Sequence, residues 1–526
     1  MRHGTPLTRR WAVRAAGALA AALACGAAVA LAAPGQPDRG FGDAGRRVLV
    51  GDGSDRAAAV AIAPDGRIVV VGDGGPDTAL TVTRLLRDGS VDRSFGDGGT
   101  HRVDLGGVET GNAVAVAPDG SIVAAGATSV GANVLVLRLT PTGAADAAFG
   151  PGGVRVIDYG GPDAANAVAL QPDGRVLLAG TGGAGRALLV TRLNPDGTPD
   201  MSFDGDGTAG IDLSAGDDAA FGMARLRDGR IMVGGVTGNP SDAAFVRFGA
   251  NGAVDRTFGI AGTRVLDAGG ADAVRALALR PDGKIVAVGA GGPRSQVAVW
   301  RLNRGGALDA SFGRRGLAGF ATVKRAETAE AVALQQDGKI VVAGSIGRDM
   351  LVARFQPGGA PDTTFGRGGR RIVQLGGRDA AGGVAVQPDG AIVAAGVTSA
   401  GGGDAAVVRL QGDPPRPPAR CAGREATIIG TPQRDHLVGT PGRDVIAALA
   451  GDDLVQARGG GDIVCGGAGA DRLVGGAGAD RLLGQAGNDM LDGGPGPDVL
   501  RGGPGRDVCS GGPGRDVYAC ERITGR

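Results

Sequence analysis

The stretch AAVAIAPDGRIVVVGDG (58–74) decides the fold. A run of small and β-branched residues ends in Asp65-Gly66, and a second apolar run follows directly. Asp-Gly between two such runs marks a β-hairpin, because Gly supplies the positive φ that a tight turn needs. LTVTRLL (80–86) reads as a third strand, closed by Arg87-Asp88-Gly89. DRSFGDGG (92–99) makes a compact turn and THRVDL (100–105) a short fourth strand. Helical spacing is absent from the unit.

The unit recurs seven times. Its Asp-Gly glycine stands at Gly66, Gly120, Gly174, Gly229, Gly283, Gly338 and Gly390, at intervals of 54, 54, 55, 54, 55 and 52. Phe-Gly or Phe-Asp recurs at Phe41, Phe95, Phe149, Phe203, Phe258, Phe312 and Phe365. Arg84, Arg138, Arg192, Arg247, Arg301, Arg354 and Arg409 form a third series, each followed by Leu or Phe. Four strands in a repeat of ~54 residues match a β-propeller blade. The predicted fold is all-β, with a seven-bladed β-propeller over residues 38–410. The repeats open on a fourth strand, RRVLV (46–50), and close on a third, AAVVRL (405–410). Residues 46–50 would thus complete the last blade and leave neither sheet edge open. VALQPDGRVLLAG (168–180), RLNPDGTPDMSF (192–203) and LDASFGRRG (308–316) resemble the delta-60 repeat family. That resemblance implies a propeller and brings no known reaction.

QGDPPRPPAR (411–420) reads as a Pro-rich, semi-rigid linker. Beyond it the period is nine: Asp435, Asp444, Asp453, Asp462, Asp471, Asp480, Asp489, Asp498, Asp507 and Asp516 follow without a slip. GGAGADRLV (466–474) and GGPGPDVLR (493–501) show the pattern G-G-x-G-x-D-x-U-x, U being a large apolar residue. This resembles the RTX, or haemolysin-type, calcium-binding repeat. The resemblance implies a parallel β-roll over 421–526 with two repeats per turn, so that Asp471 and Asp489 share a row of ions. The chemistry suits Ca²⁺: Gly loops turn backbone carbonyls inward, and Asp adds a hard anionic oxygen. Residues 448–456 and 457–465 lack some of the glycines. Ions are therefore expected at Asp471, Asp480, Asp489, Asp498, Asp507 and Asp516, and less at Asp435, Asp444, Asp453 and Asp462. The competing reading is a Gly-Asp solenoid that binds no metal, in which the clustered carboxylates would repel one another.

These two periods also explain the composition. Gly and Pro number 103 and 28 of 526 residues, which suggests disorder, yet 43% of residues are apolar and the net charge is +1. In residues 38–410 many glycines fall at hairpins and Phe-Gly turns, and in 421–526 they form the expected metal-binding loops. Near-zero charge gives no support for a nucleic-acid binder.

Residues 1–14 carry Arg2, Arg9, Arg10 and Arg14, and residues 15–33 are uncharged and Ala-rich, ending near Ala30-Leu31-Ala32. This reads as a secretory signal peptide over 1–32, with no stable membrane span after cleavage. A retained anchor is the alternative. Cys421, Cys465, Cys509 and Cys520 all lie in or beside the nonapeptide array. An even number in an exported chain suggests two disulfides with three possible connectivities. The pairs Cys421–Cys465 and Cys509–Cys520 are favoured, since they would pin the weak early repeats and the C-terminal end. Structural zinc is disfavoured because no C-x-x-C pair occurs.

Each Asp-Gly reads as a turn rather than as a member of a carboxylate ring. Each Arg and the Asp eight residues later, such as Arg84 and Asp92, read as a tie between third strand and turn rather than as a ligand ring. Trp300, alternating in QVAVWRLN (296–303), reads as core. No G-x-S-x-G or H-E-x-x-H motif occurs. The expected function is a secreted, non-catalytic calcium-binding repeat protein whose propeller serves as a platform for an extracellular protein or polysaccharide. The alternative is an extracellular hydrolase or lyase with a carboxylate site on the propeller face, which irregular residues clustered at one blade end would favour. An RTX-type toxin lacks support, since no pore-forming segment precedes the array.

Overall fold

The computed structural model describes residues 33–524, apart from 50–52, 184–186, 215, 239–240, 293–295, 321–324, 401–402, 414–418 and 431–433. The expected signal peptide, 1–32, lies outside the described residues.

Seven four-stranded antiparallel sheets form the propeller. In blade I the strands are Arg56–Ile62, Ile68–Gly74, Ala79–Leu85 and Thr100–Val103, from the axis outwards. Blade VII takes Asp379–Val386, Ile392–Thr398 and Asp404–Leu410, and its fourth strand is Arg46–Leu49. Arg46 lies opposite Val408 and Leu49 opposite Ala405, so this strand, the first among the described residues, closes the ring as expected. The outermost strands are short and carry charge, as in Arg46-Arg47, Arg102 and Arg370-Arg371, which discourages edge pairing with another chain.

The hairpin turns are as the sequence predicts. Gly66 donates its N–H to the Ala63 carbonyl at 2.8 Å with φ of +84°, while Asp65 Oδ1 accepts from the Arg67 N–H at 3.0 Å. The Phe series is wholly buried, from Phe41 to Phe365. Apolar clusters fill the spaces between neighbouring blades; Phe41 and Ala57 pack with Val393 and Val407, sealing blade VII to blade I. Trp300 is core, 2% exposed, between blades IV and V.

Above six of the seven Phe, from Phe95 to Phe365, lies an Arg clasp. Arg84 Nε donates to Asp92 Oδ2 at 2.8 Å, its guanidinium stands 4.5 Å over the Phe95 ring, and Nη1 reaches the Pro141 carbonyl of the next blade. The same Arg–Asp pair occurs in the next five blades, from Arg138–Asp146 to Arg354–Asp362. Arg409 has no Asp eight residues on and pairs instead with Asp38 at 2.9 Å, from the opening segment. The clasp is therefore a tie within each blade and a bridge to the next, not a ligand ring. Asp413 still touches the propeller, accepting from Lys339 Nζ at 2.6 Å and Arg354 Nη2 at 2.9 Å.

Every inner strand carries a bulge. The register with the second strand slips between Ala57 and Ala59 in blade I and at the equivalent place in all seven. Each slip leaves one residue outside the ladder: Ala58, Asn112, Asn166, Phe221, Arg275, Glu330 and Gly382 in blade order.

The C-terminal domain is a parallel solenoid of two six-stranded sheets. Strands pair with the strand 18 residues on, Ile463 with Arg481 and Arg472 with Met490, so two nonapeptides make one turn. The U positions stack inside, with Val455, Val464, Leu473, Leu482, Leu491, Leu500 and Cys509 all buried. The last turn is cut short, because Val508 pairs with Arg522, 14 residues on. Disulfides join Cys421 to Cys465 and Cys509 to Cys520, with sequence separations of 44 and 11. By loop-closure entropy they stabilise the folded roll by about 4 and about 3 kcal/mol. A urea melt of the roll signal is expected to shift to lower midpoint on adding reductant, with the propeller transition unmoved.

Candidate metal centre

The roll's carboxylates are set by backbone repetition. In each turn Asp Oδ1 accepts the N–H of the Asp 18 residues before it: Asp489 Oδ1 from Asp471 at 2.9 Å, Asp498 Oδ1 from Asp480 at 2.8 Å. This ladder runs from Asp435 to Asp516 and fixes each side chain's rotation. The second oxygen is left over. Oδ2 of Asp453, Asp462, Asp471, Asp480, Asp489, Asp498 and Asp507 is buried with no hydrogen-bond partner. A row of anionic oxygens without donors is costly in a folded core, so these atoms call for a cation.

The glycines make room beside them. A Cβ on Gly466 would stand 2.3 Å from Asp471 Oδ2 and 2.8 Å from the Gly484 carbonyl oxygen. At Gly475 the same atoms are Asp480 Oδ2 at 2.5 Å and the Gly493 oxygen at 2.7 Å; Gly484 has Asp489 Oδ2 and the Gly502 oxygen. Each loop thus brings a carboxylate oxygen and a backbone carbonyl of the following turn to one small space. All-oxygen donor sets of this kind suit calcium, a hard cation that takes six to eight oxygens. Burial pushes the Asp453, Asp489 and Asp498 carboxyls up to about 6 in the metal-free roll, and neighbouring carboxylates add to the rise. Asp462, Asp471, Asp480 and Asp507 move upward first through burial as well.

The ten Asp are not equivalent, and their differences do not follow the glycine count. Asp453 and Asp462, in Gly-poor repeats, share the buried, partnerless Oδ2 of the Gly-rich ones. Asp444 Oδ2 accepts from the Thr440 N–H at 2.6 Å and hydroxyl at 3.0 Å, Thr standing where later repeats have Gly. Asp516 lies at the open end, half-buried, with Tyr518 donating its hydroxyl to Oδ2 at 3.3 Å. Asp435 is half-buried at the other end. In the shortened last turn Glu521 Oε2 takes over the ladder and accepts the Asp507 N–H at 2.9 Å. Glu521 escapes a search by period because it falls off the nine-residue register.

The propeller's carboxylates have structural partners. In six of the seven blades a buried acid stands just before or at the start of the inner strand: Glu109, Asp163, Asp218, Asp272, Glu327 and Asp379 are all under 5% exposed. Asp163 accepts from the Tyr159 N–H at 2.7 Å and the Gly183 N–H at 2.9 Å, tying the loop that enters the blade to the loop between its second and third strands. Its ~54-residue recurrence was visible in the sequence beside the louder Asp-Gly signal. Asp272 does the same with Ala268 and Gly292, so its approach to Asp242 and Asp267, within 4.8 Å, follows from that loop lock.

Comparison with known proteins agrees with both halves. The model described as "Domain of unknown function (DUF5122) beta-propeller" matches residues 63–95, 117–149, 171–203, 226–258, 280–312, 335–365 and 387–413. The model of the RTX calcium-binding nonapeptide repeat matches 429–464, 457–491, 466–500 and 483–518. Calcium is thus the ion of this array, and the expected propeller and RTX resemblances are both borne out. No curated protein matches the chain. Among solved structures, Kuenenia stuttgartiensis hydrazine synthase is 13% identical, over 68% of this chain and 96% of that one, with a TM-score of 0.43. Drosophila Semaphorin 2a is 8% identical over 75% and 77%, TM-score 0.43. Aldose sugar dehydrogenase from Streptomyces coelicolor is 14% identical over 72% and 99%, TM-score 0.34. At these values none carries an argument about this chain.

Proposed function

Since this chain carries seven DUF5122 β-propeller repeats and an RTX calcium-binding array, we propose that it is an exported, non-catalytic protein. Its propeller serves as an interaction platform, and its roll folds around calcium. Two rows of buried, partnerless Asp oxygens carry the calcium half of this reading, with Asp453, Asp471, Asp489 and Asp507 in one and Asp462, Asp480 and Asp498 in the other as ligands. Asp444 and Asp516, whose second oxygens have protein partners, are the weaker positions, and so is Asp435 at the end. Two disulfides and RTX repeats support an extracellular setting, as does the Arg-then-Ala leader over 1–32. Among the described residues no helix is long and apolar enough to cross a membrane. The domain limits we assign are 38–410 for the propeller, 411–420 for the linker and 421–526 for the roll.

The non-catalytic reading rests on where the acids are spent. The hairpin, clasp and loop-lock carboxylates recur blade after blade in backbone-binding roles. The acid lining the axial cavity among the described residues is a single Glu330. A glycosidase needs two carboxyl groups across the bond it cuts.

Two variants test the ligand assignment. Asp489→Ala is expected to remove several degrees of the calcium-induced rise in the roll's melting temperature. Asp516→Ala should remove less than half as much, because its oxygen already has a protein donor. Equal losses in differential scanning calorimetry would sink the assignment.

A further inference from the structure

The seven bulge residues break the propeller's repetition. Hairpin, clasp and loop lock use the same residue types all round, as a repeated structural need requires. The bulge ring reads Ala, Asn, Asn, Phe, Arg, Glu, Gly instead. Its polar members line a cavity of about 390 Å³ at the axis, towards the start of the inner strands and away from the Asp-Gly turns. That size falls within the range of small-molecule sites, about 300–1,000 Å³.

The ring has two unlike arcs. On one side Arg56 Nη2 donates to Asn112 Oδ1 at 3.3 Å and to Asp73 Oδ1 at 2.6 Å. Asn112 Nδ2 reaches Asn166 Oδ1 at 3.4 Å, and Asn166 Nδ2 donates to the Ala220 carbonyl at 2.9 Å. On the other side Arg275 stands 4.4 Å over the Phe221 ring, with Glu330 Oε2 3.7 Å from its Nε. Phe221 and Glu330 hold this guanidinium from two sides, yet it makes no hydrogen bond among the described residues. An oriented Arg with all its N–H donors unused, on the wall of a cavity, is prepared for a carboxylate or similar acceptor. Arg56 is already paired with Asp73, so the group on this wall that is open to an anion is the Arg275 guanidinium. The amides and the Glu330 carboxylate suit hydroxyl groups.

We propose that the axial cavity binds a hexuronate, free or as one residue of an acidic polysaccharide, through its carboxylate on Arg275 and its hydroxyls on Asn112, Asn166 and Glu330. This rests on the platform reading and gives the platform its ligand class.

The test is calorimetric titration of the calcium-loaded full chain with D-galacturonate, D-glucuronate, D-galactose and trigalacturonate. At least one acid probe is expected to bind about tenfold tighter than galactose, the contribution of one charge-assisted pair. Binding by the trimer alone assigns a polysaccharide source; binding by a monomer assigns the free sugar acid. Arg275→Ala is expected to lose that affinity about tenfold with an unchanged melting curve. Should that variant not fold, Glu330→Gln decides, because it frees Arg275 of its carboxylate and is expected to tighten acid binding. No binding of any acid probe up to its solubility limit, galactose binding as well as the acids, or weaker acid binding by Glu330→Gln overturns the proposal. Release of new reducing ends from trigalacturonate would overturn the non-catalytic reading while leaving the site assigned.

Discussion

Chelating calcium from the full chain is expected to melt the roll and leave the propeller folded. Calorimetry at neutral pH should show two transitions in calcium, and only the roll's should fall on adding chelator. One site at a hundredfold excess over its Kd is worth about 2.7 kcal/mol, or roughly 10 °C or more for a domain of ~100 residues. Several coupled sites would give more, since ligand-site formation and folding are one process. The physical cause is the two rows of partnerless Oδ2 atoms, in which Asp 18 residues apart repel one another without a cation. Their pH dependence has a definite sign. The metal-free folded carboxyls titrate above the ordinary value of 3.8, at about 6 for Asp453, Asp489 and Asp498. A raised folded value means that folding takes up protons between those limits. The metal-free roll is thus most stable below the ordinary carboxyl range and weakens as pH rises through about 6. Calcium should therefore raise the melting temperature most above neutrality and least in acid. A chelator-insensitive roll at pH 8, or a larger calcium effect in acid than in base, would contradict this.

Arg354→Ala is expected to be the most damaging single change in the propeller. Arg354 and Asp362 are both fully buried, 0% and 0% exposed, and pair at 2.7 Å over Phe365. Removing the cation strands a buried carboxylate, a loss of about 3–5 kcal/mol. It also strips Gln335 and Asp413 of a partner, so the exit from the last blade loosens with it. Arg138→Ala provides the internal comparison. Its pair with Asp146 is 20% and 22% exposed, and its guanidinium lies 6.0 Å from Phe149. Water can take over there, so the cost is expected to be under half as large. Urea unfolding of the two variants, followed by the propeller transition, checks the order.

Much of this molecule was legible before its structure, and the legible part has one character. Asp65-Gly66, Phe95 and Arg84 recur because each blade meets the same local demand: a left-handed turn, a wedge between sheets, a clasp. Asp471 and its fellows recur because each nine-residue loop makes the same turn. A repeated local need writes a repeated residue, and period alone exposes it. The closing strand was legible for the same reason, since residues 46–49 are the piece of the unit that blade VII lacks.

What escaped is what depends on neighbours distant in sequence. Glycine counts rank the roll's Asp residues by loop quality, yet Asp453 keeps a bare Oδ2 while Asp444 shares its own with Thr440 and Asp516 with Tyr518. That outcome turns on which donors the adjoining chain brings within reach. Glu521 enters the ladder only because the last turn closes in 14 residues. The axial ring is the clearest case. Ala58, Asn112, Asn166, Phe221, Arg275, Glu330 and Gly382 hold no shared chemistry in sequence, and only the bulges and the closure of seven blades make them neighbours. The sequence by itself determined the two periods, hence both folds and the calcium chemistry. Tertiary structure decided which oxygens lack a partner and which side chains face one another across the axis, because those depend on distances that no local repeat encodes.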